Sequence, residues 1–326
     1  METRFLGSSG LEVSAVILGC MSYGDPDRGN HPWSVGLDDS RPFFRQAIEL
    51  GITTFDTANV YSLGSSEEIT GTLLREFASR EDVVIATKVH GEMRPGPYGR
   101  GLSRKAIMNE VDASLTRLGT DYIDLYQIHR FDPDVPVEET MEALHDIVRA
   151  GKARYLGASS MYAWQFAAMQ HAADLNGWTR FISMQDQYNL LNREEEREMH
   201  PYCLESGVGA IPWSPLARGR LTRDWDDAGS GRSETDTFGN TLYRQTEDSD
   251  RKIVDAVAAV AAARGVPRAQ VALAWVAQQD AVTAPIVGAT KTNHLVDAAA
   301  AVELTLTEAE LSQLDEHYVP HAIEGF

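Results

Sequence analysis

Two cysteines in 326 residues, Cys20 and Cys203, are too few to build a disulfide framework. Neither belongs to a C-x-x-C pair or stands beside histidines at metal-ligand spacing, so both are expected to be reduced and no metal site is expected. Long apolar runs are missing as well. No stretch of ~18 apolar residues occurs, which excludes a transmembrane helix, and the opening METRFLGSSGLEVSAVILG lacks the apolar segment of a signal peptide. A cytoplasmic protein is the expectation. Positive charge is scarce: 29 Lys and Arg face 48 Asp and Glu, a formal net charge of -19. That balance argues against nucleic acid and against anionic membrane surfaces as partners. The G-x-G-x-x-G of a Rossmann dinucleotide fold is also absent, since the nearest cluster, GPYGRG at 96–101, has the wrong spacing and lies in a loop.

What is present is an alternation. Short β-rich runs at 15–19, 52–56, 83–88, 122–128, 154–158, 181–185, 208–213 and 283–287 are separated by amphipathic helical patterns at 40–50, 66–79, 103–117, 137–150, 161–175, 194–206, 250–264 and 291–301. Eight β/α units predict a closed (β/α)8 TIM barrel, and with no linker or composition shift residues 1–326 read as one domain. A hairpin (RFLG, an SSG turn, LEVSA) precedes the barrel. Two helices stand outside the repeat, at 268–279 and 307–317, the second opened by the capping pair Thr307 and Glu310. The run REEERE at 193–198 reads as an exposed helix face with i,i+4 pairs. Residues 216–249 form a polar, Arg- and Gly-rich connection long enough to be a lid or ligand clamp.

In such barrels the reacting groups gather where strands end. The second strand closes with Asp56, followed by Tyr61; the third closes with Lys88; the fourth closes with His129. A carboxylate, a phenol, an ammonium and an imidazole can therefore share one pocket. The ammonium would stabilise the phenolate and so make the phenol a better acid, the carboxylate would hold the ammonium, and the imidazole would orient a substrate oxygen. Such a group polarises a carbonyl and supplies a proton, and a bound hydride donor is the economical source of the nucleophile. Lys88 alone also allows a Schiff-base aldolase. Tyr23, Trp33, Phe131 and Trp225, on loops at the same end, are expected to line an aromatic pocket suited to aryl or bulky substrates.

Over essentially its whole length the chain resembles the aldo-keto reductases, through FDTANVYSLGSSEEITG, ATK and YIDLYQIHR. It is especially similar to the long-loop branch of yeast aryl-alcohol dehydrogenase-like proteins and potassium-channel beta subunits, through QDQYNLLNREEERE and GAIPWSPLARGRL. The resemblance implies reduction of small-molecule carbonyls with NADPH by Asp56, Tyr61, Lys88 and His129. It implies carboxamide contacts from Ser159, Ser160 and Gln185, with Ser160 standing where an Asn is common. Trp213 would stack on the nicotinamide, and Ser214, Leu216, Gly219 and Arg220 would cover the pyrophosphate. Thr290, Lys291 and His294 would face the 2'-phosphate, with Asp297 near the adenine and Gly19, Met21 and Gly288 as further contacts. The channel-subunit likeness leaves open a cofactor-binding regulatory subunit with little turnover. Oligomeric state is not legible.

Overall fold

The computed structural model describes residues 1–29, 32–227, 242–243 and 246–323. It opens with an antiparallel hairpin of β1 (Thr3–Phe5) and β2 (Glu12–Ser14). Eight parallel strands follow: β3 (Ile17–Gly19), β4 (Thr54–Asp56), β5 (Val84–Val89), β6 (Ile123–Ile128), β7 (Ala153–Ser159), β8 (Phe181–Gln185), β9 (Gly209–Ala210) and β10 (Ile286–Gly288). From β3 to β9 each strand pairs with the next, and β10 pairs with β3. The seam between β9 and β10 is closed by backbone hydrogen bonds from Ala210 N to Ala281 O (2.9 Å), Thr283 N to Ala210 O (2.8 Å) and Ile286 N to Pro212 O (2.9 Å). The (β/α)8 expectation holds.

Helices α1 (Leu37–Glu49), α2 (Ser65–Phe77), α3 (Arg104–Leu118), α4 (Val137–Arg149), α5 (Ala163–Asn176), α6 (Met199–Ser206), α7 (Glu247–Arg264) and α9 (Thr292–Glu303) follow the eight strands. The two additional helices are α8 (Arg268–Ala277) and α10 (Glu308–Asp315), the latter started by the capping box of Thr307 and Glu310. Amphipathic spacing explains the packing. In α4, Met141, Leu144 and Ile147 fall on one stripe, all fully buried against the barrel, each contributing about 1.5–3 kcal/mol through loss of water contact. Leu6, Leu11 and Val13 of the hairpin pack with Ile17, Ala86, Leu125, Ile211 and Ala284, filling the barrel interior below its polar layer.

Three departures from the sequence reading have physical causes. The seam strands are shorter than expected because Pro212 and Pro285 have no N–H to give the ladder. The helix expected at 194–206 is split into a 3-10 turn at Glu194–Glu196 and α6, since Pro201 in its first turn cannot continue a helix from 197. REEERE is accordingly not an exposed face. Glu194 and Glu195 are buried, Glu194 accepts hydrogen bonds from Tyr318 Oη (2.7 Å) and His321 N (2.9 Å), and Arg193 bridges Glu196 and Asp315. A chain tail packing over the run converted it from surface to interior. Residues 228–241 and 244–245, the middle of the expected lid with Arg232, lie outside the described residues.

Close approach fixes one glycine. A Cβ on Gly71 of α2 would stand 2.0 Å from the Leu118 carbonyl oxygen at the end of α3. Gly71→Ala should therefore lower stability by about 1–3 kcal/mol through overpacking, read as a lower denaturant midpoint with unchanged m-value.

Candidate active site

Successive strands deliver the chemistry in register. Asp56 is the last residue of β4, Lys88 the penultimate residue of β5, and His129 follows β6, its N–H bonded to Val89 O at 2.8 Å. Tyr61 lies five residues beyond Asp56, at the start of a 3-10 turn, Tyr61–Gly64. The structure brings all four together. Lys88 Nζ donates to Asp56 Oδ2 at 2.5 Å, to Thr57 O at 2.9 Å and to Tyr61 Oη at 3.3 Å. The His129 ring meets the Tyr61 ring edge-on, centroids 5.7 Å apart. Lys88 and Asp56 are buried, while Tyr61 and His129 are partly exposed.

Burial pulls the Lys88 ammonium down, but Asp56 and then Tyr61 outweigh it, and the net is a pKa above the ordinary lysine value. The amine stays charged at neutral pH. Asp56 is further held by two amides: Gln127 Nε2 and Gln185 Nε2 each donate to Oδ1 at 2.9 Å, and Gln185 Nε2 also reaches Gln127 Oε1 at 3.2 Å. Sequence reasoning missed Gln127. Its signal was its place two residues before His129, on the inward side of a strand and in register with Lys88. Gly157 makes room for it: a Cβ there would lie 3.0 Å from Gln127 Cγ and 2.4 Å from Ser183 Oγ.

The residues expected to contact a cofactor lie at or beyond the C-terminal ends of β3, β7, β8, β9 and β10. Gly19 and Gly288 are register partners at the ends of β3 and β10, and Gly19 is also opposite Asp56. Met21 is half-buried just beyond Gly19. Ser159 donates its hydroxyl to Gln185 O at 2.8 Å. Ser160, at φ 40°, accepts a hydrogen bond from Trp213 Nε1 at 3.0 Å, so it fixes the edge of the half-buried indole. Past Trp213, Ser214, Ala217, Arg218 and Gly219 all have positive φ, and Asn189 Nδ2 holds Ser214 O at 2.9 Å. Leu216 lies half-buried within this turn. Arg220 is sandwiched between the rings of Trp225 and Tyr243, 5.3 and 5.4 Å from their centroids. At the start of α9, Thr290 and Lys291 are exposed, and Thr290 N lies 3.4 Å from His294 Nδ1. Burial, then Lys291, depresses the His294 pKa, keeping the imidazole neutral. Asp297 is tied to Gln270 of α8 at 3.0 Å.

The expected aromatic pocket is only partly assembled. Tyr23 is fully buried, stacked on Phe43 and bonded to Ala289 O at 2.8 Å; it is a core residue with no surface for a pocket wall. Trp225 is partly buried against the cluster of Tyr188, Leu221, Tyr243 and Trp275, with the Arg220 guanidinium over its ring and its Nε1 donating to Glu247 Oε1 at 3.3 Å. Trp33 is half-buried, and Phe131 packs edge-on against Trp164, whose ring is 63% exposed and which the sequence reading did not include. Cys20 and Cys203 are free and buried. Among the described residues no helix is long and apolar enough to cross a membrane.

A barrel that ends three adjacent strands in a carboxylate, an ammonium and an imidazole, with a phenol against the ammonium, matches one family. The chain belongs to the aldo/keto reductase family, whose model covers residues 15–319. Members are oxidoreductases that generally use a nicotinamide cofactor. Among its relatives are a versiconal hemiacetal acetate reductase from Aspergillus parasiticus, 47% identical over 99% of this chain and 98% of the relative. An aldo-keto reductase from Fusarium vanettenii is 44% identical over 100% of this chain and 93% of its own. A Schizosaccharomyces pombe protein with a provisional aryl-alcohol dehydrogenase name is 44% identical, over 98% and 96%.

Proposed function

We propose that this chain reduces aldehydes or ketones to alcohols with NADPH, aryl or bulky carbonyls among them, with Tyr61 as the acid. The observation that carries the reading is Lys88 Nζ, 2.5 Å from Asp56 Oδ2 and 3.3 Å from Tyr61 Oη. The phenol gives its proton to the carbonyl oxygen, and the neighbouring ammonium stabilises the phenolate left behind. Asp56, clamped by Gln127 and Gln185, holds that ammonium in place. His129 orients the carbonyl oxygen toward Tyr61. Reduced nicotinamide, when bound, supplies the hydride.

The residues present fit such a cofactor. Gly288, paired with Gly19 and so close to Asp56, leaves open space at the end of its strand, since a Cβ there would meet nothing closer than 4.0 Å. With its proton given to Gln185 O, Ser159 Oγ is left as an acceptor, and Gln185, whose NH2 is engaged, offers Oε1; two acceptors suit a carboxamide NH2. Trp213, its edge pinned by Ser160, would stack on the ring. Ser214, Leu216, Gly219 and Arg220 would hold the pyrophosphate, Thr290, Lys291 and His294 the 2'-phosphate, and Asp297 the adenine. Lys291 stands at the N-cap position of α9 without bonding its amides, and free helix amides beside an ammonium favour phosphate. Lys291→Ala is therefore expected to weaken NADPH binding about 10- to 100-fold and NADH binding little, measured by quenching of tryptophan fluorescence.

Relatives named as a hemiacetal acetate reductase and an aryl-alcohol dehydrogenase support oxygenated or aromatic substrates, as do Phe131 and Trp164 at the rim. Purified protein with NADPH and a panel of aromatic aldehydes should consume the cofactor. Tight NADPH binding with negligible turnover across the panel would favour the regulatory-subunit reading instead. A Schiff-base aldolase needs a neutral Lys88 amine, and the charge imposed by Asp56 speaks against it; borohydride trapping of an adduct on Lys88 would reverse that judgement.

A further inference from the structure

Tyr61 is followed by three residues in the left-handed region: Ser62 at φ 45°, Leu63 at φ 47° and Gly64 at φ 88°. Only glycine adopts that region without steric cost, so the conformation of Ser62 and Leu63 must be imposed from outside the turn. The loop between β3 and α1 does so. It leaves and returns through Gly24 N to Val35 O (3.0 Å) and Val35 N to Ser22 O (2.8 Å), and its described residues fold over the turn. Arg28 Nη2 donates to Leu63 O at 2.5 Å while Nη1 pairs with Glu68 at 2.8 Å. Ser34 Oγ and Ser62 Oγ, both buried, are 3.1 Å apart. Asp25 N donates to Ser65 Oγ at 2.7 Å, and that hydroxyl donates to Ser62 O at 3.0 Å. Two glycines let the loop come this close: a Cβ on Gly24 would lie 2.6 Å from Ser62 Oγ, and one on Gly29 3.3 Å from Leu63 N.

From this arrangement we infer that Arg28 and Ser34 are positioning residues of the reaction, clamping a strained turn so that the Tyr61 phenol stays within reach of Lys88. Released, Ser62 and Leu63 relax toward negative φ, which rotates the peptides next to Tyr61 and swings its ring off the ammonium. The inference rests on Tyr61 as proton donor, and it adds residues that act through the backbone of the turn.

The test is the double variant Arg28→Ala/Ser34→Ala, assayed with NADPH and an aldehyde and by hydrogen exchange of the amides of residues 61–64. Its kcat should fall about ten-fold or more with NADPH affinity unchanged, and exchange at Tyr61 and Leu63, bonded to Ala58 O and Val60 O, should accelerate. Adding Ser62→Gly and Leu63→Gly removes the strain the loop opposes and should recover most of kcat, a rescue that general loss of stability would not give. Unchanged exchange, or a fall in kcat that the glycines leave in place, overturns the clamp. If the parent protein turns over no carbonyl at all, the reading of Tyr61 fails, and the exchange rates alone still decide for or against the clamp.

Discussion

Tyr61→Phe should bind NADPH as the parent does and lose about 10²- to 10⁴-fold in kcat, the range a positioned general acid contributes. The substitution deletes one oxygen. The ring keeps its edge contact with His129, and the Lys88 ammonium keeps its bonds to Asp56 Oδ2 and Thr57 O, so the fold is not disturbed. Single-turnover measurement with saturating NADPH separates this from a binding defect. A variant that reduces aldehydes at the parental rate would assign the proton to another group and remove the mechanism.

The second large effect concerns stability as well as rate. Lys88→Met leaves Asp56 buried with two amide donors but no counter-charge, and breaking a buried pair from one side costs about 3–5 kcal/mol. Turnover should collapse with it, because the phenolate loses its partner. Pairing the change with Asp56→Asn tells the two effects apart. The double variant has no uncompensated charge, so most of the lost stability should return while activity stays absent. Urea unfolding of the two single variants and the double variant completes the cycle. Parental stability in Lys88→Met would mean that the pair is far better hydrated than its burial indicates.

Much of this molecule could be read before any coordinates, and the reasons are local. Strand and helix periods differ, so eight alternations announced themselves, and Thr307 with Glu310 marked a helix start through side chains only three residues apart. Asp56, Lys88 and His129 were legible because a barrel places strand ends on one face. Gln127 was not, since a glutamine within a strand carries meaning only once it is seen to meet Asp56 from another strand. Glu194 and Glu195 misled for the converse reason: a run of charges looks solvated until Tyr318 and His321, more than 120 residues later, fold over it. Tyr23 stood beside the site in sequence but its ring turns into the core. Ser160 was read as a carboxamide contact alone; that its hydroxyl also accepts the indole N–H of Trp213 depends on the distance between β7 and the loop after β9, which the sequence does not carry. The left-handed pair Ser62 and Leu63 had no signature at all, because neither residue type advertises that conformation.

Because β10 pairs with β3, the first and last staves of the barrel are neighbours in space and strangers along the chain. During synthesis Asp56 and Lys88 emerge early, yet the ring around them cannot close until Gly288 has been made. Contacts of such long sequence separation are slow to form, so the pairing of β10 with β3 is expected late in folding, and the burial of Asp56 and Lys88 inside a closed ring waits on it.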